Sequence, residues 1–168
     1  MKLKLSQFQR GWISALIDGE GSLSISYQKQ KTSCRPAVRC LIAISNTDRN
    51  LLKYAQKIIG GSLYKKSLSS KDNRKQVYQL VLWANLIRKL LPLPLITKKR
   101  QQDILLEALS LLGNKGGSII INGKRKARTR PIIKDRRLAE LKTEMNKLNR
   151  RGREKANPNN LIETNVSD

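Results

Sequence analysis

The spacing of hydrophobic residues changes several times along the chain, and each change marks a predicted element. Between residues 7 and 18, Phe8, Trp12, Ala15 and Leu16 form one stripe with Ile13 and Ile17 beside it, which is helical spacing. Gly19 and Gly21 are expected to break that helix. From Ser22 the period drops to two: Leu23, Ile25 and Tyr27 alternate with Ser22, Ser24, Ser26 and Gln28. That is a strand with one buried and one polar face. Residues 30–36 read as a charged turn. A second strand follows, with Val38, Cys40, Ile42 and Ile44 inward and Arg39 and Ser45 outward.

Helical spacing returns over residues 48–59, where Leu51, Leu52, Ala55, Ile58 and Ile59 share a face and Gly60-Gly61 stops it. A second hairpin is predicted from residues 62–68 and 75–83, around the polar turn Lys71-Asp72-Asn73-Arg74. A short helix at 84–91 runs into Pro92 and Pro94, and a longer one covers 97–112. The order defines an α+β fold: an αββαββα core over residues 1–112, with a four-stranded antiparallel sheet and helices on one face. The other face is expected to be lined with Ser, Gln, Arg and Lys. Residues 113–150 read as a basic loop or arm, then a helix on Leu138, Leu141, Met145 and Leu148 packed on or beside the core. Residues 151–168, with Asn-Pro-Asn-Asn, read as a weakly ordered tail.

Charge narrows the function. The chain has 35 Lys and Arg against 12 acidic residues, a formal charge of +23 spread over most of its 168 residues. Such self-repulsion is best explained by a polyanionic partner, and nucleic acid is the commonest. A membrane surface is the competing partner, but it asks for an amphipathic helix with an aromatic face. The seven aromatics here are scattered, and neither a membrane span nor a signal peptide is legible. The expectation is an intracellular protein with no membrane partner, in the cytoplasm or in an organelle or nucleus. Cys34 and Cys40 fit no zinc spacing; Cys40 is read as a reduced thiol in a strand core. The absence of histidine removes histidine-metal nucleases, zinc hydrolases and serine–histidine triads. Hydrolysis, if present, falls to carboxylates, a hard metal ion, lysine and water.

Residues 11–23, GWISALIDGEGSL, place Asp18 and Glu20 at the C-terminal end of an apolar helix. The helix dipole already carries partial negative charge there, so two acids suggest a bound cation, with oxygen ligands pointing to magnesium or a similar ion. Asp-Gly-Glu-Gly is equally acceptable as a tight turn between helix and strand.

Residues 13–21, ISALIDGEG, resemble the LAGLIDADG motif of homing endonucleases, and the likeness extends through the αββαββα order over about residues 5–112. The resemblance implies site-specific DNA cleavage with short 3′ overhangs, a divalent cation (Mg2+) and double-stranded DNA as partner. It implies that Glu20 is the metal ligand, with the Gly19 carbonyl beside it and Asp18 either a further metal residue or a structural one. One motif copy implies a homodimer, an isologous helix interface and a pseudo-palindromic site. The interface would comprise Trp12, Ile13, Ser14, Ala15, Leu16 and Gly19, with Ser14, Ala15 and Gly19 allowing close approach. ISNTD at 44–48 resembles a segment with a polar water-positioning residue, which selects Asn46; capping the next helix is its competing role. LITKKRQQ at 95–102 resembles a segment with a lysine near the scissile phosphate, which selects Lys98, with Lys99 the alternative.

DNA recognition is assigned to outward strand positions: Ser22, Ser24, Ser26, Gln28, Gln30 and Arg39, extended by Lys65, Ser67, Arg74, Lys75 and Gln79. The segment GKRKARTR adds Lys124, Arg125, Lys126 and Arg128 as phosphate contacts. The same fold and charge suit an intron maturase, an RNA-binding alternative with intron RNA as partner.

Overall fold

The computed structural model describes residues 2–30, 33–67, 75–113, 118–121, 124–127 and 132–150; at 29–30, 33–35, 118–121 and 124–127 only the backbone is described. Four strands, β1 (Gly21–Gln30), β2 (Ser33–Asn46), β3 (Ser62–Lys65) and β4 (Tyr78–Trp83), form an antiparallel sheet in the order β1-β2-β4-β3. Its register sets Leu23 against Ile42, Ile42 against Leu82, and Ile44 against Leu80, which also faces Leu63. Side chains alternate along a strand, so all of these lie on one face. All but Leu63 are buried, and Leu63 packs against them.

Helices cover that face. They are α1 (Gln7–Glu20), α2 (Arg49–Ile59), α3 (Ala84–Leu90), α4 (Lys99–Leu112) and α5 (Ile132–Arg150). Ser6 begins α1 with a capping box: its hydroxyl accepts from Gln9 N–H at 3.1 Å, and the Gln9 amide oxygen accepts from Ser6 N–H at 3.0 Å. Asp48 caps α2 through Asn50 and Leu51 N–H. Gly60, with φ of +76°, ends α2 in a conformation that disfavours a side chain. Ile13 and Ile17 of α1, Leu52 and Ala55 of α2, and Ile104 and Leu105 of α4 meet the sheet in one core. Leu138, Leu141 and Met145 bring α5 onto α4 and β1. The Asn149 amide donates to the Leu23 carbonyl at 2.9 Å, covering part of the sheet edge that β1 would otherwise leave bare. Cys40 is buried in the strand core as expected, and burial pushes its thiol pKa up to about 11.

Three predicted features change. The β1–β2 hairpin extends through residues read as a turn, leaving only residues 31–32 between the strands. The basic arm contains a second antiparallel pair, β5 (Ser118–Ile121) with β6 (Lys124–Ala127). Helix α1 does not stop at Gly19 but runs to Glu20, and the chain turns at Gly21. A Cβ at Gly21 would lie 2.5 Å from the Ile17 carbonyl oxygen, so that close turn requires glycine. The predicted turn at Lys71–Arg74 and the tail at 151–168 lie outside the described residues.

Candidate active site and nucleic-acid face

The last turn of α1 and the segment leading into α4 are folded against each other. The Asp18 carboxylate accepts from Ile96 N–H at 2.7 Å, Lys98 N–H at 3.0 Å and the Thr97 hydroxyl at 2.9 Å. Partial burial pushes the Asp18 pKa up, but the hydrogen bonds from Ile96, Lys98 and Thr97 together outweigh it and hold the group below its ordinary 3.8. The same segment is gripped from the other side by buried Gln102, whose amide accepts from Leu93 N–H at 2.8 Å and donates to Leu93 C=O at 3.0 Å.

This double clamp presents Lys98. Its ammonium donates to the Ile17 carbonyl at 3.0 Å and to the Asp18 carbonyl. A cation at a helix C-terminus is favourable, and here it satisfies carbonyls that the helix leaves open. Desolvation lowers the Lys98 pKa below 10.5 and outweighs the opposite pull of Asp18 and Glu20. Lys99 begins α4 as an exposed residue.

Glu20 has a different environment from Asp18. It is exposed at the end of α1 and makes no hydrogen bond or salt bridge among the described residues. Lys98 faces it only through space. Also among the described residues, no three acidic, cysteine or histidine side chains converge to hold a metal ion. One copy of the chain therefore offers a free carboxylate and neighbouring backbone carbonyls. All-oxygen donors suit a hard divalent cation, and the described residues of one copy supply only part of its coordination shell.

Asn46 leaves the same end of the β1–β2 ladder as Glu20, since Gly21 pairs with Ile44. Its carboxamide oxygen accepts from Asp48 N–H at 2.8 Å, which shapes the approach to α2. It makes no hydrogen bond to Glu20 or Lys98 among the described residues. Its pairing with Tyr78 also puts it on the helix-side parity of the sheet.

The expected interface residues divide between two faces of α1. Ile13 (0% exposed) and Ser14 (4%) belong to the protomer's own interior, with the Ser14 hydroxyl bonded to the Arg10 carbonyl at 2.7 Å. They are thus removed from the free face: around the helix Ser14 lies roughly a third of a turn from it and Ile13 nearly half a turn. Ala15 and Gly19 are exposed, with Trp12 and Leu16 half-buried alongside. Gly11, which sequence reasoning missed, joins them: a Cβ at Gly11 or Gly19 would meet nothing within 4 Å. Phe8 extends the stripe at 72% exposure, and Trp12 makes an edge contact to exposed Tyr54 with ring centroids 5.1 Å apart. The signal in sequence is Gly11, Ala15 and Gly19 at intervals of four.

The sheet face away from the helices carries Ser22, Ser24, Ser26 and Gln28 on β1 and Arg39 on β2, as predicted. Gln79 shares it and donates to the Ser45 hydroxyl at 3.0 Å. Lys65 does not share it. It pairs with Tyr78 and so has the helix-side parity, whereas Tyr64, paired with Gln79, has the outward one. A one-residue difference in register thus exchanges the two faces of β3. Ser67 and Lys75 are exposed beyond the strand ends. Gln30 pairs with Ser33 past a register shift, and Lys124, Arg125 and Lys126 occupy β6; for these four only the backbone is described. Arg74 and Arg128 lie outside the described residues. The face also has an apolar centre, Leu41, Ala43, Val81 and Trp83, which the sequence reading did not anticipate.

A free carboxylate and a clamped lysine thus lie at one end of an open sheet face on a highly basic chain of α+β architecture. The LAGLIDADG endonuclease family profile matches residues 13–109, more than half of the chain. The chain belongs to that family and is a site-specific DNA endonuclease. A search of curated protein sequences finds no match. Among solved structures, an archaeal intron-encoded homing endonuclease complexed with DNA has a TM-score of 0.66 at 23% identity, covering 84% of each chain. I-CvuI, bound to the I-CreI target in the presence of magnesium, has a TM-score of 0.63 at 19% identity, over 84% of this chain and 82% of its own. I-SmaMI, bound to uncleaved DNA in the presence of calcium ions, gives 0.61 at 17% identity, over 86% of this chain but 46% of its own. These likenesses establish the fold.

Proposed function

We propose that the chain acts as a homodimer, making a double-strand cut in a long pseudo-palindromic DNA site by magnesium-dependent phosphodiester hydrolysis. One observation carries this reading: the stripe of α1 formed by Phe8, Gly11, Ala15 and Gly19, the residue before Glu20, is left exposed along the helix. Phe8, Gly11, Ala15 and Gly19 offer a second copy a surface of small and apolar side chains. An isologous pairing there would bring a second Glu20 to the axis and supply what one copy lacks.

Glu20 and the Gly19 carbonyl would hold the divalent cation, with phosphate oxygens completing its shell. Such a cation, when bound, polarises the phosphate and lowers the pKa of water. Hydrolysis joins a water oxygen to phosphorus and breaks the bond to the 3′ oxygen, which leaves as a hydroxyl after protonation. Lys98 contributes a fixed positive charge where negative charge develops on the phosphate. Asp18 and Gln102 act as positioning residues, since they hold the segment that carries Lys98. The outward face of the sheet lies in the major groove of each half-site, and the enzyme works in an intracellular compartment that holds DNA.

The test is cleavage of DNA carrying the uninterrupted insertion site that flanks this gene. The native chain is expected to cut both strands in magnesium. Glu20→Gln preserves shape but removes the ligand charge, so it should bind the site and lose cleavage by about a thousandfold, the upper range for removing one transition-state contact. Full cleavage by Glu20→Gln in magnesium would show that the assignment is wrong.

A further inference from the structure

The outward sheet face is not uniformly polar. Leu41 pairs with Trp83 and Ala43 with Val81. Ser24 and Ser22 flank these pairs on β1, and Ser62 flanks Val81 on β3. Ala43 and Val81 are 8% and 6% exposed and form a floor, while Leu41 is half-buried and Trp83 keeps 38% of its surface exposed. The accessible part of the patch is therefore the Leu41–Trp83 pair. Arg39 sets its guanidinium 5.7 Å from the Trp83 ring centre, closing the patch on the side where the polar residues Ser26 and Gln28 continue along β1.

The patch also has a definite place along the sheet. Gly21, next to Glu20, pairs with Ile44; Ser22 then pairs with Ala43 and Ser24 with Leu41. The apolar rows are thus nearer the Glu20 end than the rows of Arg39 and Gln28. On a DNA half-site they face base pairs nearer the cut.

On a chain of net charge +23, such a patch within a hydrogen-bonding face has a specific complement. The major groove displays one apolar group, the C5 methyl of thymine. A guanine, cytosine or adenine edge placed there would give up hydrogen bonds to water and gain none from Leu41 or Val81.

We propose that the Leu41–Trp83 patch, floored by Ala43 and Val81, is a thymine-methyl sensor that fixes a thymine at a cut-proximal position in each half-site. The inference rests on the sheet being the DNA-reading face, and the experiment separates the two. Sites bound by the full chain in calcium are recovered from a random DNA pool. Symmetric sites with a thymine enriched on the inner side of each half are expected. Replacing that thymine by deoxyuridine removes only the methyl group. Binding should then weaken about fourfold per half-site, roughly the factor for burying one methyl-sized group. Leu41→Ser should bind the thymine and deoxyuridine sites equally, with an unchanged melting temperature confirming its fold. A symmetric site whose binding is indifferent to deoxyuridine at every inner position would overturn the sensor and leave the DNA-reading face standing. Recovery of no site at all would overturn both.

Discussion

Asp18 and Glu20 stand two residues apart on α1, yet they face two different regions. On the side toward the segment before α4, Asp18 accepts from Ile96, Thr97 and Lys98, and its carboxylate is fully engaged. Glu20, the last residue of α1, is by contrast exposed and unpaired among the described residues. Residue type does not separate a structural carboxylate from one able to bind a cation; partner saturation does. An acid whose oxygens are taken by backbone N–H groups holds architecture, whereas a free acid at the negative end of a helix dipole remains available to a cation.

The comparison can be broken first on its outer side. Ala15→Arg puts a long cation into the open α1 stripe and leaves the core untouched, since Ala15 is exposed. Self-association and double-strand cleavage should both be lost, while the melting temperature stays within a few degrees of the native value, as for most surface substitutions. Sedimentation equilibrium and a cleavage assay check this; a variant that still sediments as two chains on DNA would contradict the proposed interface.

The inner side should give a smaller and different effect. Asp18→Ala removes the acceptor for Ile96, Thr97 and Lys98, a loss comparable to that of a helix cap. It should destabilise the fold by about 1–2 kcal/mol and lower cleavage about a hundredfold through displaced Lys98. Because the Asp18 pKa is depressed in the fold, its contribution is complete above its ordinary 3.8 and is lost as pH falls through its lower folded value. The stability gap between native chain and Asp18→Ala, measured by denaturant titration, should therefore narrow below about pH 4. A gap that widens on acidification would reverse the assignment.

The smallest effect is expected where a carboxylate has a partner but little cover. Glu107 is bonded by Arg137 at 2.6 Å, and that hydrogen bond holds its pKa below 4.5, yet the two side chains are 42% and 43% exposed. Arg137→Ala should leave the melting temperature close to native, because solvent screens such pairs. A large loss would mean that burial matters less than the Asp18–Glu20 contrast implies.

Much of this contrast was legible before any coordinates. Period-two and helical spacing located α1 to α5 and the four core strands, because one-sided burial imposes that spacing on the sequence. Asp18 and Glu20 were singled out through the motif, and Lys98 through the segment LITKKRQQ. Whether Asp18 holds metal or structure was left open, because its bonds to Ile96, Thr97 and Lys98 join residues some eighty positions apart. The end of α1 was misplaced because Gly19 was expected to break the helix, whereas Lys98 reaches back to the Ile17 and Asp18 carbonyls at its end. Lys65 was assigned to the wrong face because alternation fixes a strand's two faces only once its register is known. Ile13 and Ser14 were assigned to the interface because the apolar positions of α1 wrap around more of the helix than one stripe. The apolar centre at Leu41 and Trp83 escaped notice because only strand pairing brings β2 and β4 together there.

Glu20 is left free for a cation, whereas Asp18 is committed to the fold. Calorimetric titration of calcium into the DNA complexes of the native chain, Glu20→Gln and Asp18→Asn tests it most directly. Glu20→Gln is expected to lose the binding heat with its melting temperature unchanged, while Asp18→Asn keeps cation binding and melts lower. Retained cation binding in Glu20→Gln, with its loss in Asp18→Asn, would contradict it.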